Sequence, residues 1–135
     1  MANEVTQSTW QATTEGVTIT VRPSYVEERS RPHENLWFFA YRVRIANGSR
    51  DTVQLLSRHW IITDATGVVD EVQGLGVVGE QPVLQPGRHF DYTSFCPLKT
   101  PFGTMEGTYR MVRDTGEEFD VTIPQFELSP PLSIH

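Results

Sequence analysis

The sequence predicts an all-β fold, an antiparallel β-sandwich of about seven or eight strands. Three observations predict it. Apolar and polar residues alternate with a period of two in several segments. Turns bearing glycine or proline separate those segments at short intervals. No segment combines helical spacing of apolar residues with a helix cap.

In chain order, "VTITVRPSYV" sets Val17, Ile19 and Val21 on one face, with threonine and arginine on the other. Pro23 interrupts this strand, which predicts that its end lies at a sheet edge or a bulge. "LWFFAYRVRIAN" is the strongest element. Trp37, Phe39, Tyr41, Val43 and Ile45 alternate and are expected to face the core. On the other face Leu36, Phe38 and Ala40 give way to Arg42 and Arg44, so one end of that face is apolar and the other solvated. A strand so long and aromatic is expected at a central position. "NGSRD" then turns the chain, because Asn-Gly is a strong turn dipeptide. "NGS" at Asn47 is read as that turn and not as a glycosylation acceptor.

"TVQLLSRHWIITD" is the next strand, "DATG" a tight turn, and "VVDEV" the return. "QPG" places Pro86 and Gly87 at turn positions. In "RHFDYTSF", His89 faces away from Phe90 and Tyr92. "TYRMVR" and "FDVTI" flank "DTGE" as a hairpin. "SPPLSIH" reads as a loose tail, so the domain is expected to span residues 1–128 and the tail 129–135.

The chain has 135 residues and a formal charge of −6, one domain by length and no footprint for nucleic acid. It contains no apolar run long enough to span a membrane. Cys96 is the single cysteine, and no signal peptide is evident, so a reducing cytoplasm is expected. Of 11 cationic residues only Lys99 is lysine, an excess of arginine attributed to codon bias.

"GLGVVG" spells Gly-x-Gly-x-x-Gly at Gly74, Gly76 and Gly79. A dinucleotide fingerprint needs a strand before the glycines and a helix after them, whose first amides hold the pyrophosphate. Here Pro82 and Pro86 follow, and no helical spacing does, so the parallel unit is absent. The glycines read as a connector between strands, with an amide nest for an anion as the lesser reading.

Taken together, "TVQLLSRHWIITDATGVVDEVQGLGVVGEQPVLQPG" and "YTSFCPLKTPFGTMEGTYRMV" strongly resemble the ApaG family, from about Val5 to about Leu128. The resemblance implies a fibronectin type III-like sandwich. It also implies an association with magnesium and cobalt homeostasis in bacteria, and an interaction role like that of related domains at the ends of F-box proteins. The Gly-x-Gly-x-x-Gly is a feature of that family, which brings no established catalytic residues. Phe95 and Phe102 stand where smaller residues are expected.

Nothing in the chain reads as an activated nucleophile, and no enzyme activity or cofactor is expected. Cys96 reads as a small packed hydrophobe, although Lys99 nearby raises the alternative of a lowered pKa. The histidines at 33, 59, 89 and 135 lie in different segments without metal-ligand spacing. Asp70 and Glu71 point to opposite faces of their strand. The first functional expectation is therefore a non-catalytic module binding a protein partner, with Phe38 and Phe102 as exposed apolar candidates. The alternative is a sensor for a phosphorylated nucleotide or other pyrophosphate ligand. If the "GLGVVG" and "CPLKTP" loops meet, Arg58, His59, Lys99 and Thr100 would join the three glycines there. Direct binding of a divalent ion is a third and weaker reading.

Overall fold

The computed structural model describes residues 8–131. It contains strands β1 (Trp10–Thr14), β2 (Val17–Tyr25), β3 (Trp37–Asn47), β4 (Val53–Asp64), β5 (Val69–Leu75), β6 (Val83–Leu84), β7 (His89–Leu98), β8 (Gly103–Arg113) and β9 (Glu118–Leu128). All pair antiparallel. One sheet runs β1-β2-β3-β7 and the other β5-β4-β8-β9. The short β6 pairs with the start of β4 on the same border as β5. Two 3-10 turns, Glu27–Arg29 and Pro32–Glu34, are the only helical segments among the described residues. This is the expected fibronectin type III-like sandwich.

The alternation read from the sequence fills the space between the sheets. Val17, Ile19, Val21, Phe39, Val43 and Ile45 are buried from one side, and Trp60, Tyr109, Met111, Val121 and Phe126 from the other. Trp60 stands edge-on to Tyr41, Tyr109 and Phe126, with ring centroids 5.3, 6.3 and 6.0 Å away. Such edge-to-face pairs add to area burial. Removing a buried aromatic of this kind costs about 3–5 kcal/mol.

The turns at Asp64–Gly67, Gln85–Arg88 and Arg113–Glu117 form as expected, with Gly67, Gly87 and Gly116 at φ of 90°, 86° and 92°. β2 does not stop at Pro23 but continues to Tyr25. The proline is tolerated because β1 begins at Trp10, opposite Val21, so the β1 side of β2 is already open at residue 23. β1 and β6 were not evident in the sequence. "WQATT" offers one large apolar residue, and two residues carry no period at all.

The two sheets are tied at one end by Asn47, a fully buried polar side chain. Its amide nitrogen donates to the carbonyls of Asp51 (2.8 Å) and Leu84 (2.9 Å). Its side-chain oxygen accepts from the Ser49 amide (3.0 Å) and hydroxyl (2.6 Å). Its backbone amide donates to Arg88 O (2.9 Å), and its carbonyl accepts from the Gly87 amide (2.7 Å). At the same end Arg113 meets Glu117 (2.9 Å), Asp51 (3.6 Å) and Glu15, with its guanidinium 4.1 Å from the Phe119 ring centroid.

Asn47→Ala removes the side-chain donor from the carbonyls of Asp51 and Leu84 and frees the 47–51 turn. It is expected to lower the unfolding free energy by about 3 kcal/mol in urea denaturation. Asn47→Asp, which also loses the amide donors, should not restore it.

Tyr92 and Tyr109 share a hydrogen bond between their hydroxyls in the core. Burial raises both pKa values above the usual tyrosine range. Because the folded pKa exceeds the unfolded one, this contribution is intact below about pH 10 and declines as pH rises beyond it. Unfolding free energy measured from about pH 9 to pH 12 should fall for the wild type, and less steeply for the Tyr92→Phe, Tyr109→Phe double variant.

Candidate functional site

The glycine-rich segment runs along a free border of the second sheet, and its shape follows from a bulge in β4. The register between β4 and β8 slips between Leu55 and Ser57. The bulged residue, Leu56, leaves a carbonyl that the ladder does not serve. The Gly76 amide (2.9 Å) and the Gln81 side-chain amide (2.9 Å) both donate to it. Gly76 sits at φ 65°, and a Cβ there would lie 2.4 Å from the Glu80 carbonyl oxygen. Val77 then enters the core. Val78 and Gly79, at φ 44° and 81°, form a two-residue turn closed by Val77 N to Glu80 O (2.8 Å) and Glu80 N to Val77 O (2.9 Å). Positive φ is costly for a β-branched residue, so Val78 stores strain.

No α-helix begins at Gly79, and both neighbours of β4 on that border are antiparallel. The nest reading also meets an obstacle, since the amides of Gly76, Val77 and Glu80 already donate within the protein. The carbonyls of Leu75 and Gly76 instead face a cation. Arg58 donates from Nη1 to both at 3.0 Å. Arg58 shares the inward face with Trp60, and its guanidinium lies over Gly74, where a Cβ would come within 2.9 Å of Nη1. The three glycines thus have three separate tasks: room for Arg58, service of a bulge, and a tight turn.

His59 faces outward, and its Nε2 lies 2.7 Å from Glu71 Oε1. Arg58, His59, Gly74 and Leu75 border a shallow depression of about 550 Å³ that Arg110 and Asp120 also line. Lys99 and Thr100 do not join them. Thr100 Oγ1 accepts from the Ala65 amide (3.0 Å) and donates to Phe102 O (2.9 Å), which places its loop against the 64–67 turn. The glycine loop meets β4 near Leu56 and Ser57, and the "CPLKTP" loop meets it near Asp64. Seven residues of strand separate them, about 24 Å. The expected joint pocket is therefore corrected: the structure holds Arg58, His59 and the glycines in one place and Lys99 in another.

Of the two phenylalanines expected at a surface, Phe102 is 55% exposed. Phe38 is half-buried, with Phe95 at 5.7 Å between centroids and the Arg29 guanidinium 4.0 Å above its ring. Phe95 is the exposed member of that pair, because the Arg29 side chain covers Phe38. Cys96 is buried, and its thiol is pushed up to about 11 by burial and then by the Asp70 charge, not lowered by Lys99. Of the histidines, His33 and His89 lie on other elements than His59, and His135 lies outside the described residues. Among the described residues no group of three or more His, Cys, Asp or Glu side chains is placed to hold a metal ion.

Nothing in the sequence marks β5 and the loop after it as a surface. Every residue of β5 is exposed or half-exposed, on both faces. Val69, Val72, Leu75, Val78 and Val83 stand out to solvent along this border, Leu75 at 77%. No helix of the described residues is long and apolar enough to cross a membrane.

Residues 27–113 match the ApaG domain. A protein named ApaG from Methylobacterium sp. (strain 4-46) is 57% identical over 122 residues, covering 90% of this chain and 94% of that protein. Another ApaG, from Anaeromyxobacter dehalogenans (strain 2CP-C), is 56% identical over 124 residues, 92% of this chain and 98% of that one. The crystal structure of an ApaA protein from Bordetella pertussis superposes with a TM-score of 0.85 at 52% identity, covering 87% of this chain and 95% of its own. None of these names states a reaction.

The three glycines should respond unequally to alanine. Gly76→Ala forces a clash with backbone and is expected to cost about 3 kcal/mol or more. Gly79→Ala meets open space and bears only the positive-φ penalty, about 1 kcal/mol. Thermal unfolding of the two variants checks the order.

Proposed function

The chain belongs to the ApaG family, and on that premise we propose that it is a non-catalytic, cytoplasmic binding module that takes a protein partner along β5. The observation that carries this reading is the free border itself. β5 is a seven-residue edge strand with an unpaired ladder, and its apolar side chains are exposed on both faces. Such an edge is a template for an added strand, and natural proteins usually blunt it with lysine or proline. β5 carries neither, and β6 prolongs the border with Val83, which is 58% exposed. β7, on the same open side of the sandwich, carries Pro97.

The charges of the border describe the partner. Asp70 and Glu71 are the only ionisable groups of β5. An extended segment carrying apolar and cationic residues on each of its faces complements it, apolar against Val69, Val72 and Leu75 and cationic against the carboxylates. The association with magnesium and cobalt homeostasis is then a property of the partner that this module engages. The alternative, a pyrophosphate ligand on the glycine loop, has less in its favour, since so many of the loop's amides already donate internally.

Val69→Lys with Leu75→Lys blunts the edge without touching the core. Affinity capture from native lysate should retain a partner on the wild type and on Phe102→Ser, and lose it on the edge variant. Equal retention by all three would remove β5 as the interface.

A further inference from the structure

The outer face of the first sheet carries a feature separate from the β5 border. Antiparallel register puts Arg22 of β2 directly opposite Arg42 of β3, and Arg44 of β3 opposite Thr20 of β2. These guanidiniums lie about one concavity of about 590 Å³, together with Ser24 and Thr93. Among the described residues one carboxylate serves them. Asp91 takes a bidentate pair from Arg44 at 2.9 and 2.9 Å, and stands only 3.4 Å from Arg42. The Arg44 hydrogen bonds hold the Asp91 carboxyl below its usual range, so that group is committed. Arg22 donates from Nε to the neutral Thr9 hydroxyl at 3.3 Å.

Like charges directly opposed across a sheet are destabilising. This chain has a formal charge of −6 and spare carboxylates elsewhere, yet Arg22 faces Arg42 here with Asp91, shared between Arg42 and Arg44, as the single carboxylate offsetting three guanidiniums. The contradiction resolves if an anion sits between them. We infer that the Arg22–Arg42–Arg44 face is a binding site for a diphosphate group.

The spacing selects that chemistry. Directly opposed residues of an antiparallel pair hold their Cβ atoms about 5 Å apart. Two forks on them close on one tetrahedral oxyanion or on two linked ones, in the bidentate manner that guanidinium favours. Carboxylates of an acidic strand recur on one face only every second residue, about 7 Å. The hydroxyls of Ser24 and Thr93 line the same concavity and supply neutral donors for the remaining oxygens. The small side chain of Ala40 lowers the floor beside Arg42, and opposite Ala40 stands Phe95, 51% exposed. An aromatic or apolar group attached to the diphosphate rests on that ring. The site is independent of the β5 border, which belongs to the other sheet.

Isothermal titration with inorganic pyrophosphate and with adenosine diphosphate, at low and at physiological salt, tests the site. The wild type should bind one or both, and Arg22→Gln with Arg42→Gln should weaken binding at least about tenfold. Without ligand, the double variant should melt at the same temperature as the wild type or higher, because an opposed like-charge pair has been removed. Phe95→Ser separates the sources. A loss confined to adenosine diphosphate assigns a nucleotide, and no effect on either ligand assigns the inorganic anion. Four results would overturn the inference: no heat from either ligand at millimolar concentration, equal affinity in the double variant, a lowered melting temperature of that variant, or tighter binding of a poly-glutamate peptide than of pyrophosphate.

Discussion

One buried side chain, Asn47, sets the relation between the two sheets. β3 ends on it, β6 is hung from its amide through Leu84, and the turn before β7 is fastened to its backbone. An apolar residue could fill the same volume but could not donate to the carbonyls of Asp51 and Leu84, and both hydrogen bonds would be lost. Close by, a close approach of backbones leaves no room for a Cβ at Gly16, where it would lie 2.9 Å from Ser49 Cβ. The 47–51 turn thus leans on the β1–β2 turn, and Arg113 gathers Glu15, Asp51 and Glu117 around the same point. Exposed ion pairs contribute little singly. Arg113 differs because its side chain is only 10% exposed and its guanidinium lies over the Phe119 ring.

That knot explains why one side of the sandwich can remain open. β1 and β9 close the other side, where the Thr122 amide donates to the Thr14 hydroxyl at 3.1 Å. With one end tied and one side closed, β5 is held through its ladder to β4 and needs no cover of its own. An exposed edge strand is usually a hazard. Here it is anchored on a rigid body, which the proposed recognition role requires.

Much of the fold was legible because alternation is a local signal. Each strand with three or more inward apolar residues could be read directly, from Val17–Val21 through Phe126. β1 could not, since only Trp10 among its inward residues is large and apolar. The candidate sites were less legible for a different reason. Asn-Gly marks a turn, and that local meaning hid the long-range bonds of Asn47 to Leu84 and Arg88. Arg22 and Arg42 are remote in sequence, and register alone makes them neighbours. Phe38 has the alternation of an exposed residue, but Arg29 from a 3-10 turn folds over it. The pairing of the "GLGVVG" and "CPLKTP" loops failed because both adjoin β4, and a strand of 12 residues has two distant ends.

The placing of β1 against β9 has a consequence for synthesis. The first strand's neighbour across the closed side is the last strand of the sandwich to be made, and Glu15 finds Arg113 only once β8 has emerged from the ribosome. At about 5–20 residues per second, the nascent chain spends several seconds or more with its future interior exposed. During that interval the alternating β3 segment, with its row of aromatics, is open to chaperones or to other nascent copies. The sandwich therefore closes only after β9 has been made, and loss of β9 deprives the first strand of that neighbour on the closed side.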